Sequence, residues 1–238
     1  MEHWREAFAR HLQAERSAAG AQDPSARTRR RVVAALTVVV AASVLAWALR
    51  IKPGDELFYP ATLGLAAVLL VGALVAGRPL RATEELGKRR APLLVLVGLG
   101  VGAVLLVVFL IGAGIVAQVP ALREPVEQLL AHARWGSLPI VVAITALNGV
   151  VEELFYRGAL YDAFGGRWAV VGSTVVYTVV TALAGIPLLA LAGLLVGLAV
   201  AVLRRLTQGV LAPIVAHLTW SIGMILLLGP TLELLEMS

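Results

Sequence analysis

Long apolar runs, each close to the length of a bilayer crossing, follow one another along the chain with only short polar breaks. A helix needs about 20 mostly apolar residues to span the hydrocarbon core. The runs 32–51, 58–76, 92–119, 138–160, 168–184, 187–203 and 210–228 meet or approach that length. Barrel strands would alternate apolar and polar positions in segments of about ten residues. The stretch 93–112 does not alternate. The pattern predicts an all-α polytopic helical bundle with about seven transmembrane helices. Neither an internal repeat nor a Gly- or Ser-rich linker divides it, so one membrane domain is expected, in three stretches. Residues 1–31 form a cytoplasmic N-terminal segment, 32–137 the N-terminal transmembrane helices, and 138–238 the part that carries chemistry. Within the first stretch Trp4, Phe8 and Leu12 recur every fourth residue, the spacing of an amphipathic helix lying in the interface. A solvated tail is the plainer alternative.

Composition agrees: 59% of the residues are hydrophobic and 15% charged. Soluble domains average about 45–50% apolar and about 25% charged, so a soluble globule, a disordered chain and a fibrous repeat are excluded. The chain has no cysteine, hence no disulfide framework, no thiolate nucleophile and no Cys-based zinc site. A net charge of +5 invites a nucleic-acid reading, but the basic residues sit mostly in short loops, where they set membrane orientation. No nucleic-acid partner is expected; membrane lipids are. One side gathers Arg27, Arg29, Arg30, Arg31, Arg78, Arg81, Lys88, Arg89, Arg90, Arg157, Arg167, Arg204 and Arg205, the other only Arg50, Lys52, Arg123 and Arg134. The positive-inside rule then predicts an inner-membrane protein with a cytoplasmic N-terminus and an outside C-terminus. Trp47, Trp135 and Trp168 fall near span ends, as an aromatic belt requires.

Most spans lack ionisable side chains, and the exceptions are informative because a carboxylate at mid-span costs about 2.5–3.5 kcal/mol on insertion scales. Glu152, Glu153 and Arg157 lie in the fourth span and His217 in the seventh. Glu153 and Arg157 are four apart, hence neighbours on one helix face. Glu152 points about 100° away and has no basic partner in its own helix. That leaves it suited to act as a general base on water, with Glu153–Arg157 as electrostatic support. The plainer alternative makes both acids interhelical hydrogen-bonding glue. Pro213, four residues before His217, predicts a kink that opens room beside the imidazole. Ser221 shares the face of His217 one turn later. His217 is otherwise a buried histidine bonded to a neighbouring carbonyl. Gly193 and Gly197 form a GxxxG step, a packing signal.

The order Glu152-Glu153-x-x-x-Arg157-Gly158, then Ser173-Thr174-x-x-Tyr177, then the run from Val210 to His217 resembles the CAAX protease and bacteriocin-processing (Abi) family of membrane proteases. The resemblance covers about residues 138–228. It implies that Glu152 activates water and that His217, the last-helix histidine, binds a metal or stabilises the oxyanion. The chain departs from the family at two positions. The second motif is an aromatic followed four residues later by histidine, and here Tyr177 is followed by Thr181. The family often has Asn or Asp four residues after the last histidine, and here Ser221 stands there. A catalytic zinc takes three protein ligands and a water. A zinc cofactor would draw on Glu152 and His217, with Glu153 as the remaining strong donor.

The function expected is an intramembrane endopeptidase resembling CAAX prenyl proteases, hydrolysing a membrane-associated peptide or protein with a glutamate-activated water. The catalytic group is Glu152, Glu153, Arg157 and His217, beside the altered positions Tyr177, Thr181 and Ser221. The alternative is a proteolytically inactive family member that binds a membrane partner as a scaffold. Thr181 discriminates them, since losing a central ligand favours the scaffold.

Overall fold

The computed structural model describes residues 24–77, 91–135 and 137–236. The amphipathic spacing in 1–23 and the basic stretch 78–90 lie outside the described residues. Helices account for nearly all of what is described, with no strand among these residues. In chain order they are α1 (Pro24–Ala48), α2 (Phe58–Ala76), α3 (Ala91–Gln118), α4 (Pro120–Trp135) and α5 (Leu138–Glu153). A π-helical turn (Leu154–Leu160) and a short α6 (Tyr161–Phe164) continue α5; α7 (Ala169–Ala182), α8 (Pro187–Thr207) and α9 (Leu211–Glu236) follow.

Six helical stretches are long and apolar enough to cross a membrane. The fifth expected span, 168–184, shrinks to α7, whose 14 residues extend only about 21 Å. The chain shortens it at both ends, with a 3₁₀ turn at Gly166–Trp168 and a reversal at Gly185, whose φ is +77°. Pro187 then opens α8 at a position where no backbone donor is needed. A direct observation fixes the direction of travel. Asp162, at the end of the α5–α6 rod, meets Arg204, at the end of α8, at 3.6 Å. Both rods therefore finish at the same end of the bundle, and residues 165–186 carry the chain back between them.

The same end is tied together by the first helix. Arg30 Nε donates to the carbonyl of Ala76 at 3.2 Å, and Arg31 Nε to that of Ala163 at 3.1 Å. Each arginine satisfies a carbonyl left over at a helix C-terminus, where a cation is also favoured by the helix dipole. These residues lie in the first turns of a helix that begins at Pro24, rather than in a segment preceding it. Arg157 leaves the loop tally altogether, being fully buried.

The first helices are not an appendage. Ala34, Ala41, Leu65, Leu69 and Ala73 of α1 and α2 form one buried cluster with Phe155, Tyr156, Ala159 and Leu160 of the π turn and with Tyr177 of α7. On the other flank, α3 packs along α9 through a small-residue step. A Cβ on Gly98 would lie 2.7 Å from the Ala212 carbonyl oxygen, and one on Gly102 2.5 Å from that of Ala216. Backbones approach this closely only where side chains are absent, and the contact fixes the helix that carries His217. Between α3 and α5, in the interval separating the apolar runs 92–119 and 138–160, the chain forms α4. Val126 of α4 is buried against Ala113 and Leu232.

Candidate active site

Glu152 and Glu153 close α5, and their neighbouring positions send them to different partners. Glu153 has no exposed surface. Its Oε1 accepts from Arg157 Nη1 at 3.1 Å and lies 2.7 Å from Nδ1 of His217. A carboxylate only accepts, so the proton of that second bond belongs to Nδ1. Glu152 is half-buried, and its Oε2 accepts from the Tyr177 hydroxyl at 2.8 Å. Glu152 also lies within Coulombic reach of His217 and Glu153. Four separate stretches, α5, the π turn, α7 and α9, thus supply one polar cluster.

Each member is held from behind. Arg157 Nη2 donates to the carbonyl of Gly197 on α8 at 3.1 Å. Its guanidinium sits over the ring of Tyr177 at 4.6 Å and near that of Tyr156 at 5.8 Å. The two tyrosine rings meet edge to face, with centroids 4.8 Å apart. Cation–π contact of this kind strengthens on desolvation. On α7 one stripe is exposed, Val171, Val175 and Val179, while Ser173, Thr174, Tyr177 and Thr181 turn inward and are buried. Helical spacing thereby separates a lipid-facing face from a polar one.

Thr181 belongs to the inward face but not to the cluster. Its hydroxyl donates to the carbonyls of Tyr177 and Thr178 in its own helix, and it packs against Gly193, where a Cβ would collide with it. Ser221 is half-buried, and its hydroxyl faces the Leu218 carbonyl at 3.5 Å. The expected kink at Pro213 is absent from its predicted place. Helix α9 starts at Leu211, so Pro213 falls in its first turn, where a missing N–H breaks no helical bond. His217 therefore stands on regular helix one turn further on. The GxxxG step does more than pack. Without a side chain at Gly197, its carbonyl is open to Arg157 and to the Thr174 hydroxyl, 3.4 Å away.

Sequence reasoning gives no warning of the π turn or of Tyr156, and assigns Gly197 only to packing and Arg204 only to orientation. Helical periodicity gives no warning of a π turn, which inserts a residue without altering composition, though such turns recur at functional sites. The signal for Gly197 was present in the GxxxG spacing.

The zinc expectation can be tested on the donor set. Among the described residues no three His, Cys, Asp or Glu side chains gather as ion ligands. Glu153 Oε1 is already occupied by a guanidinium and an imidazole, and the 2.7 Å between that imidazole and the carboxylate is a hydrogen bond. Glu152, Glu153 and His217 as arranged do not fit a three-ligand zinc site.

Comparison with curated proteins and with solved structures finds no match. Residues 134–223 match a family described as type II CAAX prenyl endopeptidase Rce1-like. That stretch contains Glu152, Glu153, Arg157, Tyr177 and His217, and the six long apolar helices make the chain an integral membrane protein. Through the segment that holds its whole polar cluster, the chain is similar to the Rce1-like family of type II CAAX prenyl endopeptidases.

Proposed function

We propose that the protein hydrolyses a peptide bond in a membrane-associated peptide or protein, with Glu152 as the base that activates water. The observation that carries this reading is the unequal treatment of two adjacent carboxylates. Glu153 is fully buried and spent on Arg157 and His217, whereas Glu152 keeps exposed surface and has a hydroxyl on one oxygen. Its other oxygen is left to meet water. In the reaction Glu152 takes a proton from that water as the oxygen attacks the scissile carbonyl carbon. The proton then passes to the amide nitrogen as the C–N bond breaks, leaving a new carboxylate and a free amine.

His217 supplies the second role. With Nδ1–H committed to Glu153, Nε2 is the ring nitrogen that faces chemistry. When both glutamates are ionised and Arg157 and His217 are protonated, the cluster's charges sum to zero, a balance favoured in a low-dielectric interior. Nε2–H then donates to the developing oxyanion, where preorganised donors act most strongly. Arg157 orients Glu153, and Glu153 orients His217. No step runs through zinc.

The basic end of the bundle, bearing Arg30, Arg31 and Arg204, faces the cytoplasm of the inner membrane in this reading, so substrate is processed near that face. The test is cleavage of a prenylated CAAX-type peptide by the full chain in liposomes. Wild type cleaves, treatment with a chelator leaves the rate unchanged, and Glu152→Gln loses about 10²–10⁴-fold. Cleavage by Glu152→Gln at the wild-type rate would overturn the assignment.

A further inference from the structure

The α8 helix grips Arg157 at two points. Gly197 and Arg204 are seven residues apart, two turns along one face and about 10.5 Å in rise. The Gly197 carbonyl takes the head of the Arg157 side chain at 3.1 Å. Arg204 takes its backbone, donating from Nε to the Arg157 carbonyl at 2.9 Å. Arg204 is itself held: its Nη2 lies 3.6 Å from Asp162 Oδ1, and its guanidinium stacks on the Tyr161 ring at 5.1 Å. Its side chain keeps only 12% of its surface exposed.

The carbonyl it holds lies within the π turn, Leu154–Leu160. Such turns are rare and persist where surrounding structure supports them. Relaxation to ordinary α geometry would keep Arg157 one turn from Glu153 but rotate it relative to α8, away from the Gly197 carbonyl that it now meets at 3.1 Å. From this geometry we infer that Arg204 is a positioning residue for the active site. It pins the π turn so that Arg157, beside Glu153, also reaches the Gly197 carbonyl and the Tyr177 ring, and Glu153 in turn holds His217. An Arg fork suits the role because it bonds a carbonyl and a carboxylate at once, which a single ammonium does less well. The inference deepens the peptidase reading and rests on it only for its effect on turnover.

The test compares wild type, Arg204→Met and Arg204→Lys as full chains in lipid, by two independent readouts. Hydrogen–deuterium exchange in Arg204→Met is expected to accelerate over residues 154–164 and not over α3 or α9. Turnover of the prenylated peptide is expected to fall in kcat by about 10²-fold, the scale of a misplaced catalytic group, with KM unchanged. Arg204→Lys should recover part of kcat, because its ammonium still reaches the carbonyl. Exchange and kcat both at wild-type values in Arg204→Met would overturn the inference. So would exchange rising evenly along the chain with activity falling only as folded protein is lost, since that marks a merely structural arginine. Should wild type cleave no peptide, the peptidase reading fails, and exchange over 154–164 still decides whether Arg204 holds the π turn.

Discussion

Tyr177 holds one oxygen of Glu152 while its ring lies beneath the Arg157 guanidinium, so one side chain serves Glu152 directly and Glu153 through Arg157. Tyr177→Phe separates the two roles. The ring contacts survive and the hydroxyl is lost, removing a hydrogen bond to a charged group worth about 1.5–3 kcal/mol. Peptide turnover is expected to drop roughly tenfold to a hundredfold with the thermal unfolding temperature little changed, measured side by side on reconstituted protein. At this scale much of the site was legible. The Glu153–Arg157 pair follows from four-residue spacing, and the helix-face argument separated Glu152 from it correctly within one helix. The partner of His217 was not legible. Its bond to Glu153 joins positions 64 residues apart, and no local rule says which of two adjacent carboxylates a distant helix will meet.

Among the elements, α8 decides how tightly the cluster closes. A Cβ on Gly197 would lie 3.0 Å from Tyr177 Cδ1 and 3.4 Å from Arg157 Nη2. Gly197→Ala is therefore expected to push α8 from α7 and the π turn, costing about 1–3 kcal/mol as overpacking and lowering turnover with it. Gly100→Ala, at a position with open space around it, provides the contrast and should leave both unchanged. Peptidase assays and unfolding scans on the two variants check the difference. The helices themselves were largely readable from apolar run length. Where the reading slipped, the cause was local. The kink expected at Pro213 requires helix on its N-terminal side, and the break at Gln208, whose φ is +60°, removes it while leaving little compositional trace. Helix α4 gives no span signal because its charges, among them the Arg123–Glu127 pair at 2.6 Å, break the apolar pattern.

For the whole molecule, the arginine ties place the starts of α1, the ends of α2 and α6, and the end of α8 at one face. The short α7 still returns the chain to the opposite face, so the odd number of traverses expected from the apolar runs survives although one of them is too short to span alone. Because the protein has no cysteine, single cysteines can be introduced without background. Cysteines replacing Arg167 or Gln208 are expected to react only with reagent on the cytoplasmic side, and ones replacing Asp55 or Glu233 only from outside. Labelling of positions 55 and 167 from the same side would contradict the arrangement. Charge counting predicts this orientation, yet it assigns Arg157 to a loop because basic residues are normally excluded from spans. Only burial against Glu153 and Gly197 explains the exception.

Hydrolysis by a water that Glu152 activates is tested most directly by a single turnover in water enriched in heavy oxygen. Wild type and Glu152→Gln are each mixed in excess over the prenylated peptide, and the products are weighed by mass spectrometry. Wild type is expected to place one heavy oxygen in the new carboxylate within the first turnover, while Glu152→Gln, folded and of normal abundance, yields essentially no product. A first-turnover product without heavy oxygen would mean that the carboxylate attacks the peptide itself, and full activity of Glu152→Gln would mean that Glu152 is not the base; either result contradicts the mechanism.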